Sequence, residues 1–159
     1  MTDHHETLKE KLYECHLHIR RLQRAREHLK NHIPLTGREY PALCDESVSF
    51  IDQMIYRFSK LQDTMGEKIF PMILELGGEP VKRMTFIDRL NRLEELGLID
   101  RLEWMMLRKE RNEIAHEYSF NTDEVVDSIN AIYDKAETLI QIFETIEVYL
   151  VRKYAWLNS

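Results

Sequence analysis

Two apolar stripes at helical spacing constrain this chain more than anything else in it. From Val125 the residues Ile129, Ile132, Ala136, Leu139, Phe143, Ile146 and Leu150 follow in alternating steps of four and three. Near the start, Leu8, Leu12, Cys15, Ile19, Leu22 and Leu29 keep the same rhythm, with Arg26 in one expected apolar slot. Steps of three and four place every member on one face of a helix, and a face that long is a packing seam rather than a surface stripe. The spacing predicts a first helix over about Glu6 to Asn31, ended by Pro34 and Gly37. It predicts a last helix that starts after Asn121, where Glu124 stands three residues on. Two such helices want to bury their seams against each other, antiparallel, in a bundle.

Between them the pattern is shorter. Val48, Ile51, Ile55, Phe58 and Met65 share a face, which predicts a helix over about Cys44 to Gly66. Pro71 then demands a break or a restart, because it lacks a donor and its ring collides with the preceding turn. A short apolar helix follows to Leu76, and Gly77-Gly78-Glu79-Pro80 is a loop. Thr85 with Asp88 has the form of a capping box, and that helix stops at Gly97. The next starts at Asp100, with Glu103 three residues later, and carries Trp104, Leu107 and Arg111. Only five Gly and four Pro interrupt 159 residues, so a strand-rich fold is excluded. The reading is a single all-α domain over residues 1–159, an antiparallel bundle of about five helices.

Composition narrows the class of function. Apolar residues make up 43% and charged residues 31%, a soluble globular balance. The formal net charge of −6 argues against a protein that coats nucleic acid nonspecifically, since phosphate neutralisation dominates such binding. It leaves room for a small RNA-cleaving site fed by a local basic patch. Arg20, Arg21, Arg24, Arg26 and Lys30 form the densest basic segment, interrupted by Glu27. Lys82, Arg83, Arg89, Arg92, Arg101, Arg108 and Lys109 form a looser cluster, the preferred phosphate-attracting surface. No apolar run reaches membrane-spanning length, and Met1-Thr2-Asp3-His4-His5-Glu6 lacks a basic-then-apolar signal, so a cytoplasmic protein without membrane contact is expected. Cys15 and Cys44 stand far apart. Cys15 lies on the apolar seam, as a buried thiol. His28 and His32 are four apart, but no matching Cys or carboxylate set completes a metal site, so no metal and no cofactor is expected.

The chemistry-bearing stretch is Arg111-Asn112-Glu113-Ile114-Ala115-His116-Glu117-Tyr118. It spells Arg-x4-His-x-Tyr. A guanidinium grips phosphate with a forked donor set. An imidazole moves a proton near neutral pH. Together they suffice to cleave a phosphodiester without a metal. Each residue also has a plainer reading. Arg111 could pair with Glu110, or with Asp100 and Glu103. His116 could cap a helix end, with Glu113 and Glu117 favouring its charged form. Asn112 could orient Arg111 or sit on a wet face. Tyr118 could stack on a base or roof the core. Residues five apart differ by about 140° around a helix axis, so Arg111 and His116 do not converge within one straight helix. Either the helix ends near His116, or two copies of the motif face each other across a two-fold axis.

The run from Thr85-Phe86-Ile87-Asp88-Arg89-Leu90 through Leu96-Gly97-Leu98-Ile99-Asp100 and Trp104-Met105-Met106 to Arg111-Asn112 and His116-Glu117-Tyr118 resembles the HEPN family. More narrowly it is similar to HepT-type toxins that partner a minimal nucleotidyltransferase. The close resemblance spans Thr85 to Thr122. It implies a HEPN-like homodimer with a composite cleft, and a metal-independent endoribonuclease acting on RNA such as tRNA or mRNA. Arg111 and His116 would be its catalytic residues, Asn112 a supporting one, and a 2′,3′-cyclic phosphate its product. It also implies a cognate minimal nucleotidyltransferase antitoxin that adds nucleotide monophosphates to Tyr118. The competing reading is a non-catalytic subunit that binds nucleotide or substrate and docks onto a separate nucleotidyltransferase.

Overall fold

The structure is a computed structural model that describes residues 2–114 and 121–158. Among the described residues it is helical throughout, without strands. Helix α1 covers Thr2–Leu29. Helix α2, Asp45–Thr64, runs through a π-helical segment, Met65–Ile69, into α3, Phe70–Leu76. Helices α4, Phe86–Glu95, and α5, Arg101–Ile114, follow, and α6 spans Thr122–Lys153.

Both long seams are buried as their spacing demands. Every residue of the α6 stripe, Val125 to Leu150, is in the core. In α1 one slot differs. Ala25, not Arg26, takes the inward position, and Arg26 lies half-buried beside it. There its guanidinium covers the Tyr133 ring at 4.5 Å, donates to the Tyr133 carbonyl, and reaches Glu137. A long cationic side chain can flank a seam because its stem is apolar.

Pairs along the helices give the directions. Arg26 meets Glu137, His16 meets Glu147, and His5 stacks on Trp156. As numbers fall on α1 they rise on α6, so the two are antiparallel. His28 stacks on Phe50, His18 meets Arg57, and His4 faces Glu75, so α1 is antiparallel to the α2–α3 rod as well. The stacking of His28 on Phe50 also gives that histidine a structural role, apart from His32. Arg111 meets Asp63, and Trp104 packs on Phe70 with ring centroids 4.5 Å apart. Helix α5 therefore runs antiparallel to the rod too. Four long elements make the bundle, and short α4 closes one end against α3 and α5.

The expected break at Pro71 is a bulge instead. The Phe70 N–H bonds the Met65 carbonyl, five residues back. Widening the turn relieves the clash that the proline ring would make with the carbonyl four residues before it. The rod thus stays continuous from Asp45 to Leu76. Its inward face also differs from expectation, with Met54 and Leu61 fully buried while Val48 and Ile55 are only half-buried. Three expected caps are present. Thr85 and Asp88 form a complete capping box, Asp100 accepts from the Glu103 N–H, and Asn121 accepts from the N–H groups of Asp123 and Glu124. The segment before α2 is tied to α6 by Asn130, whose carboxamide bonds both the N–H and the carbonyl of buried Leu35, at 2.8 Å each.

Burial pushes the Cys15 thiol up to about 12, as expected for an inert thiol. Cys44 is exposed at the start of α2.

Two predictions follow from this packing. Trp104 is 2% exposed, against Phe70 and next to Gly66. Trp104→Ala opens a cavity there and should cost about 3–5 kcal/mol in urea unfolding; a loss within experimental error would mean that the bulged rod and α5 do not depend on it. The second concerns pH. His18 Nδ1 accepts a hydrogen bond from Arg57 Nη1 at 2.9 Å. Burial, then the Arg57 charge, holds the imidazole below its ordinary pKa. The unfolded chain therefore binds this proton more readily than the fold does. His18 costs the fold nothing above about pH 6.5, and stability falls as the pH drops below that value. In thermal unfolding between pH 7.5 and 5, His18→Gln should flatten part of that decline, and an unchanged slope would contradict the assignment.

Candidate functional site

Arg111 stands in the last turn of α5. Its place is fixed by Asp63 on α2. Arg111 Nε and Nη2 donate to Asp63 Oδ1 and Oδ2, both at 3.1 Å, in a side-on fork. This replaces the expected partners Glu110, Asp100 and Glu103, and the two side chains are only 33% and 32% exposed. The hydrogen bonds it donates to Asp63 raise the guanidinium pKa still further. Chemically the fork does two things. It orients a planar cation that would otherwise swing, and it leaves both Nη1 hydrogens and one on Nη2 uncommitted to Asp63. It also cancels much of the charge that phosphate would feel.

The pair separates two concavities. On one side, about 740 Å³ lies between the rod, α5 and α6, bordered by Tyr40, Ile55, Tyr56, Ile114 and Val125. On the other, a groove of about 520 Å³ runs between the bulged rod and α5 toward the start of α4. Gln62, Gly66, Glu67 and Phe86 line it, with Arg89, Arg108 and Asn112. Arg108 is exposed one turn before Arg111, its guanidinium 4.2 Å above the Phe86 ring. Asn112 is exposed, and it borders both this groove and a shallower hollow formed by Met105, Arg108, Lys109 and Glu113. It adjoins Arg111 in the groove wall.

His116 and Tyr118 lie outside the described residues, as does Glu117. Glu110, half-buried on α5, has its carboxyl pKa raised by burial and then by Glu113. The looser basic cluster is largely engaged. Arg92 bonds Glu79 and Glu95, Lys109 faces Glu113, Arg101 bonds Asn91, and Arg89 donates to the Val81 carbonyl. Arg108 is the member of that cluster that stands in the groove beside Arg111 and keeps its charge toward solvent. Among the described residues no three His, Cys, Asp or Glu side chains converge as a metal site.

Sequence reasoning missed Asp63 and Gln62. Asp63 leaves no signal in one dimension, since its partner is on another helix. Gln62 was findable: it lies four residues after Phe58, on the rod's apolar face. No family model, curated protein or solved structure matches this chain.

The fork is testable as a structural element. Arg111→Ala should cost about 1 kcal/mol, and a double-mutant cycle with Asp63→Ala should return a coupling of about 1 kcal/mol, the upper range for a pair this exposed. Zero coupling would mean that the pair orients Arg111 without contributing to stability.

Proposed function

We propose that this chain is a metal-independent endoribonuclease toxin of HepT type, working as a homodimer. The reading rests on the Arg-x4-His-x-Tyr motif and the surrounding HEPN resemblance. One structural observation supports it: Arg111 is held by Asp63 in a fixed orientation at the wall of an open groove, with Arg108 beside it. In the proposed reaction the substrate's own 2′-oxygen attacks phosphorus. Its proton passes to a base, the bond from phosphorus to the 5′-oxygen breaks, and that oxygen takes up a proton. The products are a 2′,3′-cyclic phosphate and a 5′-hydroxyl. His116 moves the proton, and Arg111 stabilises charge on the phosphoryl oxygens. Asn112 supports Arg111 or a substrate oxygen.

The outer face of α5 is consistent with a two-fold contact. Leu102 is 69% exposed, Met105 37% and Met106 54%, in consecutive helical steps that lead on to Lys109 and Asn112. A second copy on that stripe would bury them and bring the two motifs together. The proposed control is nucleotidylation of Tyr118 by a cognate minimal nucleotidyltransferase. A bulky phosphodiester two residues from His116 would block the site and compete with RNA for Arg111.

One observation favours the alternative, a non-catalytic subunit that binds nucleotide or substrate for a separate nucleotidyltransferase. Asp63 already occupies the fork of Arg111, and a carboxylate there weakens the grip on phosphate. The deciding experiment is cleavage of total RNA and of tRNA with a chelator present. Wild type should cut at least about 100-fold faster than His116→Ala and than Arg111→Ala. Equal rates in wild type and His116→Ala would overturn the nuclease reading.

A further inference from the structure

The groove beside Arg111 contains a group that packing does not explain. Gln62 is 4% exposed, yet among the described residues neither its Oε1 nor its Nε2 has a hydrogen-bond partner. Buried carboxamides are nearly always paired, because an unpaired one forfeits its bonds to water. An apolar residue would fill this place on the rod's inner face at no such penalty. The backbone beside it is unusual too. The π-helical segment begins at Met65, and such turns concentrate at functional sites. Gly66 lets the rod lie close against the Trp104 ring, since a Cβ there would stand 3.2 Å from it. A second donor, Arg89 Nε, is also buried at this groove without a partner among the described residues.

We propose that this groove seats an adenine base, with Gln62 reading its edge. The inference rests on the nuclease reading only for its place in the reaction, as the base of the nucleotide next to the cleaved bond. A carboxamide offers a donor and an acceptor side by side. Nε2 donates to a ring nitrogen of adenine while Oε1 accepts from the exocyclic amino group. The ring edge of guanine that presents two acceptors sets its O6 against Oε1. Glu67, exposed at the rim, accepts from an amino group and repels a carbonyl in the same way. Arg108 supplies a guanidinium already lying on an aromatic face, able to move onto a base or its phosphate. Both carboxamide atoms of Gln62 are shielded from solvent, so a base reaches them only when side chains lining the groove move aside. Because Asp63 follows Gln62 in the chain and holds Arg111, a base on Gln62 carries its own phosphate toward that guanidinium.

The test uses the full chain carrying His116→Ala, titrated calorimetrically with AMP, GMP, CMP and UMP. AMP should bind about tenfold more tightly than GMP and UMP, whose carbonyl oxygens face Oε1, with CMP, which presents the same ring-nitrogen and amino pair on a smaller ring, between them. Adding Gln62→Met should erase that advantage while raising the melting temperature, since it removes an unpaired amide. Cut sites mapped on RNA with otherwise wild-type protein should carry adenine beside the bond, and Gln62→Met should lower cutting there about tenfold relative to other sites. Equal affinity for all four nucleotides, or an AMP advantage that survives Gln62→Met, overturns the proposal. Should Gln62→Met unfold, Gln62→Leu takes its place, and equal nucleotide affinities in the protein with Gln62 intact still overturn it. Failure of the two readings is separable. An AMP preference that depends on Gln62, in a protein that cuts no RNA, keeps the base site and removes the nuclease. RNA cutting without adenine preference keeps the nuclease and removes the base site.

Discussion

One missing hydrogen-bond donor organises the functional side of this bundle. Pro71 cannot continue an α-helical ladder, and the chain answers with a wider turn at Met65–Ile69 rather than a break. Continuity matters because α1 and α5 both pack antiparallel to the rod that this turn preserves. A break would separate the anchor of Trp104, which packs on Phe70 beyond the bulge, from the anchor of Arg111, which bonds Asp63 before it. With the rod intact, both ends of α5 are registered against one element. The groove lies between those two anchors.

The charge balance at that groove is close. Asp63 orients Arg111 but also neutralises it, and most of the neighbouring cations are occupied by carboxylates or carbonyls. Attraction of a phosphodiester therefore depends on Arg108, and in the proposed dimer on cations of the second copy. This fits the proposed engagement of RNA at a confined site rather than along the surface of a protein of net charge −6. A cation held by a carboxylate is also one that a phosphate can engage. It can do so through the hydrogens the fork leaves free, both on Nη1 and one on Nη2, while Asp63 keeps Arg111 in place.

Much of the fold was legible because periodicity reports burial directly. The stripe from Val125 to Leu150 is the inner face of α6, and Thr85, Asp100 and Asn121 cap helices as their side chains suggest. Local chemistry misled where two solutions share one signal. Pro71 reads as a break or a restart, and the structure instead has a bulge that keeps the rod packed on both sides. Arg26 reads as a seam member, but Ala25 fills the space and leaves the guanidinium to Tyr133 and Glu137. At the site, the motif located Arg111 but not its partner, since the Arg111–Asp63 fork joins residues far apart in sequence. Gln62 carried a visible signal, a polar residue at an apolar position, which periodicity alone treats as noise.

The central claim is that Arg111, positioned by Asp63, is the group that receives the scissile phosphate. The most direct measurement is the NMR signal of the Arg111 guanidinium Nε–H, assigned with Arg111→Lys. It should be followed in His116→Ala protein while an RNA oligonucleotide with a 2′-deoxy residue at the cut position is added. The account predicts a saturable shift of that resonance as phosphate binds the guanidinium hydrogens that Asp63 leaves free, and no shift with the same length of uncharged backbone analogue. A resonance that stays unmoved at saturating RNA would contradict it, and would leave Arg111 as a strut between two helices.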